Sequence, residues 1–375
     1  MIKLTPTMMI RPKPKEPVNL YESDTDEESD AEDSPEIIPT RYGYNIVDFL
    51  TNYQQVFLQQ GTLGWGRILH LTADMICSEG FDKWRSFTYS YALDHIGLGS
   101  LRVFVYLHQR HEELSRQRDK YPTEALYGRP DFQRTIGEIA LILNTQPRKS
   151  RPPIPRVPVT VLGEEWIHTQ RKPMPTAAVR RIWNHGTDSI ERAVAANHML
   201  GACEEAATEK ALFWMKWSLD EDKRKLKAKA NIDSNKRGGG VFLCRCLHEA
   251  YKELAAQQKI RMHEEYQTLI EMFLRDGNYY TARQRNDMLV LMVQIISEIP
   301  RLKVPAAVQL AKDDIALKLA TAQTSLFFKE VLAKPQVDPK IWKYAKRRAA
   351  KPVEKKIVTQ EEQIDQLYKS FYKNI

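Results

Sequence analysis

The fold of this chain is decided by residues 188–273. This stretch begins with DSIERAVAANHMLGACEEAATEKALFWMKWSLDEDKRK at 188–225, passes three glycines at 238–240, and ends with VFLCRCLHEAYKELAAQQKIRMHEEYQTLIEMF at 241–273. Apolar residues recur at spacings of three and four on both sides of the glycines, which is typical of amphipathic helices. The pattern predicts one very long helix, a break at the glycines, and a second long helix.

Three details refine the first of these helices. Asp188 with Glu191 three residues later predicts a capping box at its start. Gly201 is unfavourable inside a helix by about 1 kcal/mol relative to alanine, so we expect a close helix crossing there. Trp214 and Trp217, three residues apart, are most simply core residues facing a neighbouring helix.

Helical periodicity continues on both sides of this stretch. Further helices are predicted at 44–57, 67–78, 81–95, 100–120, 131–144, 281–299 and 305–333. Five prolines between 147 and 158 exclude a helix and predict a stiff, extended connector, with one short strand at 159–162. The predicted fold class is therefore mainly α, with two helical domains joined by a Pro-rich connector and extended N- and C-terminal tails.

These signals also predict the domain boundaries. Residues 1–40 form a tail with an acidic run, disordered or ordered by a partner, because they cannot bury a core. The later units are an N-terminal helical domain at 41–146, the connector at 147–175, a C-terminal helical domain with the long helical hairpin at 176–333, and a basic tail with a terminal helix at 334–375.

Charge and cysteine content limit the function classes. The net charge is +8, yet residues 21–36 contain nine acidic and no basic residues, so the rest of the chain is strongly basic. Such a surface favours phosphate groups or acidic protein faces. Four cysteines scattered over 375 residues make no disulfide framework and fit a reducing compartment. The longest apolar stretch, 288–296, is about half of what a bilayer requires, so no transmembrane segment is expected.

The sequence shows no motif of a catalytic or nucleotide site. Phosphate-binding loops, nucleophile elbows and zinc-protease helices are missing from it. Cys244, Cys246 and His248 form the strongest metal candidate, but on a helix Cys246 points nearly opposite to the other two, and buried free cysteines are common. We therefore predict no catalytic, cofactor-binding or metal residues, and a protein that is not an enzyme.

A second group of polar residues occurs within the predicted helix at 100–120. His108, His111 and Glu112 are expected on a charged, solvated helix face rather than in a site.

Two basic clusters offer an alternative function in nucleic-acid binding. They lie at 223–229 and at 340–356, the second interleaved with Trp342 and Tyr344. Lysine and arginine grip phosphates and aromatic rings stack on bases, but lysines near a helix end also complement its dipole. Both interpretations stay open here. The candidate nucleic-acid contacts are Lys343, Lys346, Arg347, Arg348 and Lys351.

The terminal helix provides the predicted partner-binding surface. Thr359 with Glu362 makes a capping box. The apolar residues that follow share one face, which must be covered by the protein's own domain or by another subunit, and we expect docking in a neighbouring subunit's groove. These residues are Ile364, Leu367, Tyr368 and Phe371.

One part of the chain resembles a known family. The block EEAATEKALFWMKW at 204–217, with FLC at 242–244 and RMHEEY at 261–266, is similar to a helical protein of the nucleocytoplasmic large icosahedral DNA viruses, over about a quarter of the chain. The resemblance implies a minor capsid component of the virion, assembled in the host cytoplasm beneath the major capsid shell. Its partners would be the major capsid protein and other minor capsid proteins, and it implies no catalytic residues.

The two function classes, a structural capsid protein and a nucleic-acid-binding or transcription-associated protein, differ in their response to salt. If residues 340–356 neutralise phosphates, affinity for duplex DNA must fall with salt at a slope of about 0.9 per contact. Replacing Lys346, Arg347, Arg348 and Lys351 with glutamine should then flatten the slope by about three units. A salt titration with an unchanged slope would exclude this region from DNA binding.

Overall fold

The computed structural model describes residues 39–59, 61, 64–170, 176–184, 188–228, 238–258, 263–275, 279–298, 310 and 314–336. Within them the chain is mainly α-helical and contains no strand. The first half comprises α1 (Ile46–Leu58), α2 (Trp65–Glu79), α3 (Phe81–Tyr91), a π-helical turn (Ala92–Ile96), α4 (Arg102–Lys120), α5 (Thr123–Tyr127) and α6 (Pro130–Thr145).

After the proline run at 147–158, and from within the predicted connector onward, the helices continue to the end of the described chain. They are α7 (Glu164–Thr169), α8 (Ala177–Ile182), α9 (Ile190–Glu204), α10 (Thr208–Ala228), α11 (Gly239–Gln257), α12 (Glu264–Leu274), α13 (Ala282–Glu298) and α14 (Asp314–Leu332).

The mainly α fold class is confirmed. The predicted strand at 159–162 is wrong, because Val159–Val161 forms a 3-10 turn.

The very long first helix is also a wrong prediction, because the chain turns between α9 and α10. Ala206 adopts a positive φ of 55°. Its N–H donates to the Cys203 carbonyl at 2.9 Å, and the Ala207 N–H donates to the Ala202 carbonyl at 2.8 Å, which is the hydrogen-bond pattern of a Schellman stop. Glycine normally occupies such a position, so the sequence carries no signal for this turn.

The start of α9 is shifted by one residue from its predicted place. Ser189 is the N-cap, and its side chain accepts a hydrogen bond from the Arg192 N–H at 3.3 Å. Asp188 instead forms an ion pair with Arg192 at 3.1 Å. The predicted second long helix is divided too, since α11 ends at Gln257 and α12 begins at Glu264.

Aromatic residues attach the later part of the connector, which includes α7, to α10. The Trp217 indole N–H donates to the Val161 carbonyl at 2.8 Å. Trp166 lies 5.6 Å from Trp214 and 6.1 Å from Trp217, measured between ring centroids. Both tryptophans of α10 are buried, which confirms their assignment to the core.

The beginning of the connector is fixed by a network of alternating charges. Arg151 contacts Asp94 of the π-helical turn at 3.2 Å and also pairs with Asp287 of α13. Arg283 contacts the same two carboxylates at 3.3 and 3.8 Å. The Asp94 and Asp287 side chains are only 10% and 4% exposed, so removing one arginine would leave a poorly solvated charge.

Three further ion pairs join the two halves of the chain along α4 and α12. Arg102, at the start of α4, contacts Glu264 at 2.5 Å and Glu265 at 3.4 Å, both at the start of α12. Ten residues further along α4, Glu112 pairs with Arg275, which lies just beyond the end of α12. Described residues on both sides of the connector share one hydrophobic core within one compact unit. Independent folding of the two predicted domains stays a prediction.

The expectation that His111 lies on a solvated face is wrong. It is fully buried, because it follows Leu107 by four residues and precedes Leu114 by three, and both leucines face the core. Its Nε2 hydrogen-bonds the Thr88 hydroxyl at 2.9 Å. Burial, followed by the nearby Arg85, lowers the pKa of His111 well below its ordinary value of 6.5.

This buried histidine should make the protein sensitive to acid. Because its pKa is lower in the folded state, the unfolded chain binds more protons below pH 6.5, and stability falls as the pH drops through the folded value. His111→Gln should remove up to about 1.4 kcal/mol per pH unit from that slope. Urea unfolding between pH 7 and acid measures it. His168→Gln, at a half-exposed site, is the control, and equal slopes for wild type and His111→Gln would contradict the assignment.

Candidate interaction surface

The predicted site residues near the C-terminus lie outside the described part of the chain. This applies to the partner-binding set and to the nucleic-acid set, which consist of Ile364, Leu367, Tyr368, Phe371, Lys343, Lys346, Arg347, Arg348 and Lys351. The acidic run at 21–36 lies outside it as well. Both sets therefore stay predictions.

The cysteine candidates of α11 lie in the described core, and the histidine candidate His248 is partly buried. Cys244 and Cys246 are fully buried, and burial raises the pKa of the Cys244 thiol to about 12. Burial likewise raises the pKa of Cys246 and lowers that of His248. These shifts keep thiols protonated and an imidazole neutral at pH 7. Among the residues that the structure describes, no three His, Cys, Asp or Glu side chains form a metal-binding group.

The first basic cluster is partly neutralised by its own neighbours. Lys225 contacts Glu164 and Glu191, each at 3.2 Å, and Arg224 pairs with Glu221 at 2.7 Å. The Glu191 carboxylate is mostly buried, and its pKa is lowered by hydrogen bonds and by Lys225, against the effect of burial. Lys225 therefore ties the end of α10 to α7 and α9, whereas Arg224 is neutralised within α10 itself. Both contacts support a structural role for this part of the cluster.

Helix α14 packs on helices from the first half of the chain. It contacts α2 and α6. The two helices α14 and α6 approach closely at Gly137, where a Cβ atom would overlap the buried Thr324 side chain. Phe328 and Val331 are buried on the same inner face. The close crossing that we expected at Gly201 therefore occurs at Gly137 instead, since a Cβ on Gly201 would meet nothing within 4 Å.

The end of α14 is held by the first described residues of the chain. Arg41 donates from Nη1 to the Lys334 carbonyl at 2.8 Å and from Nε to the Cys77 carbonyl at 3.1 Å. The Tyr42 hydroxyl donates to Glu330 at 2.8 Å, and the Lys334 ammonium lies 3.5 Å from the Tyr42 ring centroid. These contacts join the ends of α2 and α14 and fix the orientation of α14.

The outer face of α14 carries a second apolar surface, which we call the outer stripe. Ile315, Leu319 and Leu326 are 73%, 66% and 67% exposed, and the exposed Ala322 lies between the two leucines. Their 4-3-4 spacing is that of a coiled-coil seam. Contiguous exposed apolar residues of this kind mark interaction sites. Since burying one such side chain contributes about 1.5–3 kcal/mol, covering the exposed part of these three contributes roughly 3–6 kcal/mol.

The site residues predicted from the sequence do not include the outer stripe, although the sequence contains a pattern that indicates it. The predicted helix at 305–333 has apolar residues on two faces, Leu317 and Phe328 on one and Leu319 and Leu326 on the other. A helix with one buried side needs only one such face. The second face is therefore the sequence signal of a contact outside the helical core.

Comparison of the chain with protein-family models, with curated proteins and with solved structures finds no match. In the described part of the chain, no helix is long and apolar enough to cross a membrane.

Two glycines provide a matched test of how α14 is held. Gly137→Ala should destabilise the protein by about 1–3 kcal/mol, because the added methyl group overlaps Thr324. Gly201→Ala should instead stabilise it by about 0.5–1 kcal/mol, because alanine favours the helix and open space receives its Cβ. Urea unfolding measures both changes. Introducing Thr324→Ala should reduce the cost of Gly137→Ala, and equal effects of both glycine substitutions would contradict the close crossing.

Proposed function

We propose that this chain is a non-enzymatic structural protein that cross-links the subunits of a large assembly. In the most specific form of the proposal, it is a minor capsid protein beneath the major capsid shell of a large icosahedral DNA virus, assembled in the host cytoplasm and retained in the virion. Its partners are then the major capsid protein and other minor capsid proteins.

The outer stripe is the observation that supports this proposal most directly. Its three large side chains are between 66% and 73% exposed on a helix whose opposite face is fixed to α2 and α6. Because α14 is already fixed in place, docking on its outer face does not require the helix itself to become ordered, which reduces the cost of binding. The resemblance of residues 204–217 to virion proteins supports the choice of a capsid.

The terminal segment, residues 359–375, is the natural occupant of the outer stripe within such an assembly. Its sequence predicts an apolar face at Ile364, Leu367 and Phe371. Residues 333–358 precede it and give it a reach of up to about 85 Å if fully extended. A segment of one copy that docks on α14 of a neighbouring copy would link the two subunits, which is the action that the proposed function requires.

A virus carrying Leu319→Glu together with Leu326→Glu tests the proposed function. Both side chains are exposed, so the fold should persist, while each buried charge opposes docking. Incorporation of the protein into purified particles should fall about tenfold or more, which corresponds to about 1.4 kcal/mol or more of lost contact. Quantitative mass spectrometry of the particles measures it.

The matched control places a charge at an exposed apolar residue away from the outer stripe. Val159→Glu serves this purpose, because Val159 is 79% exposed in the 3-10 turn. The control should be incorporated at the wild-type level. Normal incorporation of the double variant, or absence of the wild-type protein from nuclease-treated particles, would contradict the proposal.

A further inference from the structure

We propose that, in the free chain, the outer stripe is covered by the terminal segment of the same molecule. This inference rests on the proposed function, since it describes how the linking contact is controlled before assembly. In a dilute solution the contact closes within one copy. In an assembly the same contact forms between copies.

The two surfaces match in their apolar spacing. Ile315, Leu319, Ala322 and Leu326 follow one another at intervals of four, three and four residues. In the terminal segment the sequence gives Ile364, Leu367 and Phe371, at intervals of three and four. Both patterns repeat every 3.5 residues on average, which is the period that keeps two helices in register along a shared seam.

Charge favours an antiparallel arrangement of the two surfaces. The terminal segment is acidic at its start, with Glu361 and Glu362, and basic near its end, with Lys369 and Lys373. The sequence of helix α14 begins with Asp314, and the helix carries Lys329 in its last turn. When the segment runs opposite to α14, each acidic end meets a basic end and the two helix dipoles oppose each other.

The connection between the two surfaces also favours a contact within one molecule. Residues 333–358 separate the two surfaces in the sequence, and a flexible chain of that length would have a root-mean-square span of about 25–30 Å. A tether of this length keeps the terminal segment at an effective concentration on the order of millimolar near α14. Docking of two separate molecules costs free energy because translational and rotational freedom is lost. The free energy gained by burying three large side chains is of about the same size as this cost. The tethered segment avoids most of that loss.

The same tether explains how assembly would open the contact. An intramolecular contact is exchanged for an intermolecular one when the local concentration of neighbouring copies approaches the effective concentration of the tethered segment. Exchange of an identical element between copies requires no new contact surface. A closely packed shell meets this condition, whereas a dilute solution of the free chain does not.

Hydrogen exchange on the purified full-length protein tests this inference. The amides of residues 359–375 should be protected in the wild-type chain, because docking stabilises their helical hydrogen bonds. Leu319→Glu with Leu326→Glu should speed their exchange about tenfold or more, and Val159→Glu should leave it unchanged. Dilution of the wild-type protein by about a hundredfold should not alter the protection, because an intramolecular contact does not depend on concentration.

Three results would overturn the inference. They are an unprotected terminal segment in the wild-type chain, protection that survives the two glutamates, and protection that disappears on dilution, which would assign the contact to a second copy. None of these results depends on particle incorporation. Failure of the closed free chain is therefore distinguishable from failure of the proposed function, which the particle experiment measures separately.

Discussion

The close crossing of α14 over α6 is the contact on which the arrangement of the molecule depends. Gly137 lacks the Cβ that would overlap Thr324, so the last described helix lies directly against helices from the beginning of the chain. A crossing of this kind buries Phe328 and Val331 on one side. It also determines which residues of α14 remain outside, because a helix fixed on one face presents the opposite face to solvent.

The chain reaches this crossing through a connector that is itself fixed in place. Arg151 and Arg283 share the carboxylates of Asp94 and Asp287, which come from the π-helical turn and from α13. Each charge in the network has partners of opposite sign, so removing the charge of one member would be more harmful than replacing the whole network by apolar groups of similar volume. The first residues of the proline-rich stretch are therefore held in place by ion pairs to elements on both sides of it.

Sequence patterns predicted the elements that depend on local periodicity and missed those that depend on tertiary contacts. Helix α13 agrees with its prediction because Thr281 and Gln284 make a reciprocal capping box at its start. The stop at Ala206 could not be predicted, since packing of α9 on α10 stabilises a backbone conformation that alanine seldom adopts. His111 was misassigned because its residue type outweighed its position between Leu107 and Leu114. The faces of α14 required knowledge of which side meets α6.

An apolar stripe that stayed open in the free protein would be a hazard, because exposed seams of this kind promote unspecific association. A linking protein nevertheless needs such a surface at the moment of assembly. Covering it with a segment of the same chain resolves the conflict, since the cover costs little to form and is displaced by an equivalent segment of a neighbour. The free energy with which the terminal segment binds the outer stripe must then be moderate. A stripe of only three large side chains, rather than a full coiled-coil interface, fits the proposed contact, which must close in solution and still exchange in a crowded shell.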